Sequence, residues 1–309
     1  MKILDLHADI GCDVLFHHKR GMKNVLDTRH TEKLLKGEVS IVGMASFFDG
    51  HESWEEMQEM ILTLENELKE SKTWQRVLDK EDLISDKPKA IMTVEGMCGI
   101  QEDVEEKVQW MYDHGIRIAS LCWNDENALA TGVKGNPERG LTELGIRVLK
   151  KMEELKMIVD VSHANEKTFW DILDHTHGMI IATHSNAHAL CPHPRNLKDD
   201  QIQAIAKRNG VIGMNACAYF VDEDLSKVNA KALAEHASYI KKLVGSEHLA
   251  CGFDYMDFFE DHEASTICDL KDASESQHFI HALKETDFRE EEIKKIAHQN
   301  VIERFVSYW

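Results

Sequence analysis

Eight short apolar runs, each followed by a stretch of helical periodicity, limit the fold of this chain more than any other feature. The runs fall at residues 3–8, 39–47, 90–94, 117–122, 157–162, 179–183, 210–214 and 249–253. Between them the apolar residues return at intervals of three and four, as at Met57, Met60, Ile61, Leu64 and Leu68 within 53–68. The same periodicity predicts helices at 104–112, 142–155, 166–173, 199–207 and 230–243, with two more at 276–284 and 290–305 closing the chain. Thr142 and Asn165 stand where helix starts are expected, and Gly210 and Gly245 where helices end. Eight strand–helix alternations in 309 residues predict one (β/α)8 TIM barrel over 1–309 with C-terminal helices. A doubly wound sheet is the alternative arrangement of the same elements.

Charge and cysteine content narrow the function. A formal charge of −19 argues against a nucleic-acid surface and against docking on an anionic membrane. Seven cysteines form no C-x-x-C pair, and several sit inside apolar runs, so buried reduced thiols are expected. No signal peptide is read ahead of the first run, and no segment approaches the roughly 18 apolar residues of a membrane span. The expectation is a cytoplasmic enzyme.

Chemistry-bearing residues gather at the C-terminal ends of the runs, which in a barrel face one loop-lined mouth. The first run ends in His7-Ala8-Asp9, whose period of two sends both polar side chains to one side. Others end in Thr93-Val94-Glu95, Val161-Ser162-His163, Thr183-His184 and Gly252-Phe253-Asp254. Singly, each has an ordinary explanation. With 18 histidines in the chain, a His near an Asp occurs by chance. Asp254 alone could cap a helix, and Glu95 alone could be a solvated loop charge. Three histidines and three carboxylates converging on one face, however, carry a desolvation cost that only a cation offsets.

Six candidates are too many for one zinc, which takes about three protein ligands in a catalytic site. Two cations need a bridging anion between them, and Glu95 is the expected bridge. His7 and Asp9 would then hold one ion, His163 and His184 the other, with a hydroxide as the second bridge. The imidazole-rich set favours two Zn2+, although Mn2+ or Fe2+ would fit the same ligands.

In their order along the chain these motifs resemble the membrane (renal-type) dipeptidases, peptidase family M19, of the amidohydrolase-like, metallo-dependent hydrolase barrels. The resemblance spans the whole chain. It includes Asp160-Val161-Ser162-His163 and His193-Pro194-Arg195-Asn196-Leu197. Many other amidohydrolases open with His-x-His and bridge with a carboxylated lysine, and no lysine ends a run here. The resemblance implies a binuclear zinc dipeptidase with His7, Asp9, Glu95, His163 and His184 as ligands. It makes Arg195 the anchor for the substrate's terminal carboxylate, and Asp254 the acid that works with the substrate amine and the attacking water. It also implies a small dipeptide substrate, with a D-residue as one option at the C-terminal position, and a homodimer.

One departure stands out. Where the family pattern reads Leu-Thr-His-Asn-x-x-Asn, this chain has Leu121-Cys122-Trp123-Asn124-Asp125-Glu126-Asn127, with Trp123 in place of the His that steadies the oxyanion. Asn124 or Asn127 could take over that role, the substrate could differ, or Trp123 could simply pack at the pocket wall. Trp123 and Asn124 are therefore expected beside the substrate. The rival readings are another binuclear-metal hydrolase, acting on a lactam, lactone or modified amino acid, and a binding protein that keeps its metals for structure.

Overall fold

Ile3–Ala8 is a strand (β1) buried along its entire length, as a barrel strand covered on both faces must be. In a computed structural model, which describes residues 1–260 and 262–309 and the side chains of all of these except His262 and Glu263, eight further strands follow. They are β2 (Val39–Phe47), β3 (Gln75–Arg76), β4 (Lys89–Glu95), β5 (Ile116–Ser120), β6 (Ile158–Asp160), β7 (Ile180–Ile181), β8 (Ile212–Met214) and β9 (Leu249–Cys251). Their order is β7-β6-β5-β4-β2-β1-β9-β8, every pairing parallel. A parallel bridge from Ala182 to Ile212 joins the two ends, with Ala182 N–H on Val211 O at 3.0 Å and Gly213 N–H on Ala182 O at 2.8 Å. The closed ring is the expected (β/α)8 barrel. β3 was not anticipated: it pairs with Lys89 and Ala90, ahead of the point where β5 joins β4 at Met92.

β1 and β2 lie where the apolar runs put them, while four strands stop short of their expected ends. Runs 117–122, 157–162, 179–183 and 249–253 leave the ladder at Ser120, Asp160, Ile181 and Cys251. In three of them the cause is a buried carboxylate that takes backbone N–H groups away from the ladder. Asp160 Oδ1 accepts from Ser162 N at 3.0 Å and Thr183 N at 2.9 Å, and Asp5 Oδ1 accepts from Phe253 N at 2.9 Å. At the other end, run 210–214 begins later, at Ile212, because Gly210 N–H still bonds Ile205 O of the preceding helix. Asn209 takes the left-handed position there (φ 57°) that was expected of Gly210, whereas Gly245 ends its helix with φ 97° as read.

The outer helices follow the periodicity closely: Trp54–Glu70, Val104–Asp113, Glu143–Glu154, Glu166–His175, Asp199–Lys207 and Ala230–Val244. Thr142 and Asn165 cap theirs through Gly145 N and Thr168 N. The expected helix 290–305 is instead two α-helical pieces, Glu290–Lys294 and Asn300–Tyr308, joined by a π-helical turn at Lys295–Gln299. Helices Ile10–His18 and Thr31–Lys36 were not expected from the sequence; the second is only 6 residues long. Asp9 stands at the N-cap position of the first, a residue type favoured there, yet its side chain makes no capping bond. No helix among the described residues is long and apolar enough to cross a membrane.

Asp13 ties the first helix of this inserted N-terminal segment to the turn at Leu26–His30. Its carboxylate accepts from Arg29 Nε and pairs with His30 Nε2, both at 2.8 Å. Burial pushes the Asp13 carboxyl up, but the hydrogen bonds with His30 and Arg29 outweigh it and bring the group down to about 2. A carboxyl depressed in the folded state stabilises fully above its unfolded value of about 3.9, and that stabilisation is lost as pH falls through about 2. Asp13→Asn is therefore expected to cost about 1–3 kcal/mol at neutral pH. The difference from wild type should shrink as pH drops from about 4 toward 2. Urea unfolding in chelator checks it, and a pH-independent difference would exclude the ion-pair origin.

Candidate metal centre

β1, β4, β6, β7 and β9 end on the same side of the barrel, and the side chains just past or at those ends meet. Glu95 is the hub. Its Oε1 lies 2.5 Å from His163 Nε2 and 3.5 Å from His184 Nε2, while its Oε2 lies 3.2 Å from His7 Nε2. His7 Nε2 is 3.3 Å from Asp9 Oδ1 and 3.9 Å from Asp254 Oδ1, and the two nitrogens of His163 and His184 approach to 2.9 Å. All six sequence candidates thus converge. Two groups have ligand atoms within 4.8 Å of one another and share Glu95: Glu95 with His163 and His184, and Glu95 with His7 and Asp9. One carboxylate oxygen faces each group, which is the arrangement a bridging carboxylate needs.

A third group of the same compactness contains His7, Asp160 and His184. Asp160 is already spent. Oδ1 accepts from Ser162 N, Ser162 Oγ and Thr183 N, and Oδ2 accepts from the Thr183 hydroxyl. That hydroxyl also meets His184 Nδ1 at 2.8 Å, so Asp160 fixes His184 through Thr183 and turns Nε2 toward Glu95. His163 is fixed in the same manner by Asn124, whose Oδ1 meets Nδ1 at 3.0 Å. On the far side, Asn215 Nδ2 donates to Asp254 Oδ2 at 3.1 Å. Asp254 itself has φ 57°, a strained conformation for a non-glycine residue. Gly252 makes room two residues earlier: a Cβ there would lie 1.8 Å from the Thr183 carbonyl oxygen.

The electrostatics fit cations. Among the described residues, His7 Nε2 and Asp9 Oδ1 are buried without a hydrogen-bond partner, although they approach as an ion pair. Burial pushes Asp9 up to about 6 and Asp254 up to about 7, and the neighbouring carboxylates add to both. Burial works against the charge on Glu95 as well, yet His163 and His7 hold it well below the usual carboxylate range. His163, pushed down to about 4 by burial and by Arg195, and His184, lowered by burial and by His7, are the neutral imidazoles that a metal requires. His7 goes the other way, because Glu95 and Asp9 outweigh its burial. The carboxylates draw positive charge to this spot.

A cavity of about 520 Å3 opens onto Asp9, Glu95, His163 and Asp254. Arg195 enters it from the loop after β7. It is 4% exposed, Nη2 donates to His184 O at 3.3 Å, and Nε and Nη1 have no hydrogen-bond partner among the described residues. Unpaired, buried guanidinium donors beside a cavity make an anion anchor. Trp123 and Asn124 both line the cavity, as expected of them. Asn127 does not, and cannot stand in for the missing His: its amide nitrogen is bound to Leu121 O, and its oxygen to Leu129 N and Ala130 N. Asn215 was missed, although it directly follows β8 and the strand-end rule would have found it. Asp5, two residues before His7 on the same face, bonds the backbone of His7 and Phe253 beneath the site and was missed as well.

Comparison with known proteins agrees with this geometry. The family model for membrane dipeptidase (peptidase family M19) matches residues 2–306. An uncharacterized protein in the pqqA 5' region of Klebsiella pneumoniae is 34% identical over 226 residues, covering 70% of this chain and 80% of that protein. The crystal structure of dipeptidase AC, an M19 metallopeptidase, superposes with a TM-score of 0.88 at 22% identity, over 100% of this chain and 99% of the other. A Rhodobacter sphaeroides metallopeptidase, solved with a phosphinate mimic of the dipeptide L-Ala-D-Ala, gives 0.87 at 20% identity over 100% and 99%. At these identities the two structures speak for the shared fold.

Proposed function

The chain belongs to the membrane dipeptidase family, peptidase family M19, and from that premise we propose that it cleaves dipeptides with a free C-terminal carboxylate at a centre of two divalent cations. It is a hydrolase of the metallo-dipeptidase type. The observation that carries the reading is the split of Glu95, one oxygen toward His163 and His184, the other toward His7 and Asp9. Those five residues would hold the ions, with zinc favoured by three imidazoles. Bound there, the ions would supply Lewis acidity and make water nucleophilic near neutral pH.

The remaining work falls to the chain. Arg195 offers the substrate carboxylate its unpaired guanidinium N–H groups and so sets the peptide bond over Glu95. Asp254, steadied by Asn215, is placed to accept a proton from the attacking water and return it to the leaving amine. Asn124 and the Asp160–Thr183 pair keep His163 and His184 turned inward. A D-residue at the C-terminal position belongs to the proposal, since the Rhodobacter relative of the same fold binds an L-Ala-D-Ala mimic. The unpaired donors of Arg195 favour a carboxylate-bearing dipeptide over a lactam or a lactone.

The test is metal analysis of protein purified without chelator, together with a panel of L-L and L-D dipeptides. Protein free of stoichiometric metal would overturn the reading. Arg195→Ala is expected to lower kcat/KM roughly 10- to 150-fold on free dipeptides, the range of one charge-assisted hydrogen bond. It should have little effect on the slower cleavage of C-terminally amidated ones. Equal loss on both would remove Arg195 from carboxylate binding.

A further inference from the structure

The polar ends of a dipeptide account for only part of the cavity. Arg195 and the acid cluster occupy its floor, and what remains is mostly apolar, built from Phe47, Trp123, Phe220, Met256 and Phe259. Four of these are aromatic, and none is fully buried. Trp123 is central to this wall. Its ring stands edge-to-face with Phe47 at 5.0 Å and lies 6.0 Å from the ring of His163, tilted by 36°. An indole therefore sits directly beside one of the residues that would hold a cation, where the family pattern has an imidazole. It brings more apolar surface and no group that titrates. Across the cavity Phe220 lies under the Arg195 guanidinium at 5.5 Å, so the carboxylate anchor too is bordered by a ring.

From this wall we infer that Trp123 sets the substrate class: the enzyme selects dipeptides that carry one large apolar side chain, packed against Trp123 and Phe47. The inference rests on the dipeptidase reading above and narrows it. A cavity of about 520 Å3 is far more than two alanine side chains fill, and a small substrate leaves the rings facing water. Covering them with a phenylalanine or leucine side chain releases that water and gives the selected substrate its advantage. The competing selector on the same wall is Lys134, an exposed ammonium 5.5 Å from the Trp123 ring, which would favour an acidic side chain instead. The apolar surface is the larger, and Trp123 stands against His163 of the metal centre, so it dominates.

The experiment compares kcat and KM for Ala-Ala, Phe-Ala, Ala-Phe and Ala-Glu, with L and D C-terminal residues, on the metal-loaded enzyme and on Trp123→Ala and Trp123→Phe. At least one phenylalanine dipeptide should exceed Ala-Ala in kcat/KM by roughly 10- to 100-fold, mainly through KM, the range expected for burying one large apolar side chain. Trp123→Ala should bring that ratio down toward one, and Trp123→Phe should keep most of it. A purely structural role for Trp123 would instead scale all substrates alike. Hydrolysis with no preference for phenylalanine, with a preference for Ala-Glu, or with a ratio untouched by Trp123→Ala overturns the inference and leaves the dipeptidase reading standing. Failure to cleave any dipeptide overturns both.

Discussion

Glu95→Gln is expected to lose the second metal ion and to lower kcat/KM by roughly 10³-fold or more. Residues that only orient a metal ligand cost about 10- to 100-fold when removed, and Glu95 faces both ligand groups itself. The substitution is nearly isosteric, so the barrel should fold as before. What changes is that a neutral amide offers one acceptor where a carboxylate offers two charged ones. A stability measurement reads the same event independently. An ion that binds only the folded state adds about 4 kcal/mol at a thousand times its Kd, so chelator should lower the wild-type Tm substantially. In Glu95→Gln the gap between loaded and chelated protein should narrow, and metal analysis should give close to one ion or fewer per chain. A variant that keeps two ions and a tenth of the activity would refute the bridging role.

How far the centre could be read from sequence depends on which interactions are local. His7 lies in β1 and Asp9 one residue past its end, so the two-residue period brings them out together, and Glu95, His163 and His184 fall within a residue or two of apolar runs. Barrel closure then does the rest, because parallel strands put all such ends on one side. The supporting partners were less legible, since each joins separate strands. Asp5 ties β1 to β9, Asp160 ties β6 to the end of β7, and Asn215 crosses from β8 to Asp254. Nothing in a single run marks those pairings. The same contacts explain the shortened strands: a ladder N–H that bonds a carboxylate is a ladder N–H lost. Asp5 and Asp160 carried a signal even so, being ionisable residues inside apolar runs.

The wall of the cavity was the least legible part. Phe47, Trp123, Phe220 and Phe259 come from four different strand ends and loops, and an aromatic residue in any one of them reads as ordinary packing. Only Trp123 could be singled out, because it stands where the resemblance expects His. The structure then separates the two asparagines once open as its replacement. Asn127 is consumed by its own loop, and Asn124 is bound to His163.

Asp254→Asn should leave both ions in place and abolish most turnover. Asp254 Oδ1 is 3.9 Å from His7, farther from it than Asp9 Oδ1 and Glu95 Oε2, and none of the three compact ligand groups includes Asp254. Its work is proton transfer, which contributes about 10²- to 10⁴-fold when a positioned side chain performs it. An amide keeps the size of the side chain and can still meet Asn215, but it has no basic oxygen to take a proton. The predicted signature is therefore a kcat reduced by roughly 10²- to 10⁴-fold with metal content unchanged and KM little altered, since substrate is held by Arg195 and the wall. Glu95→Gln, by contrast, should lose metal and activity together. The pair separates holding the ions from moving the proton. An active Asp254→Asn enzyme would take Asp254 out of the mechanism, and loss of metal in it would move Asp254 among the ligands.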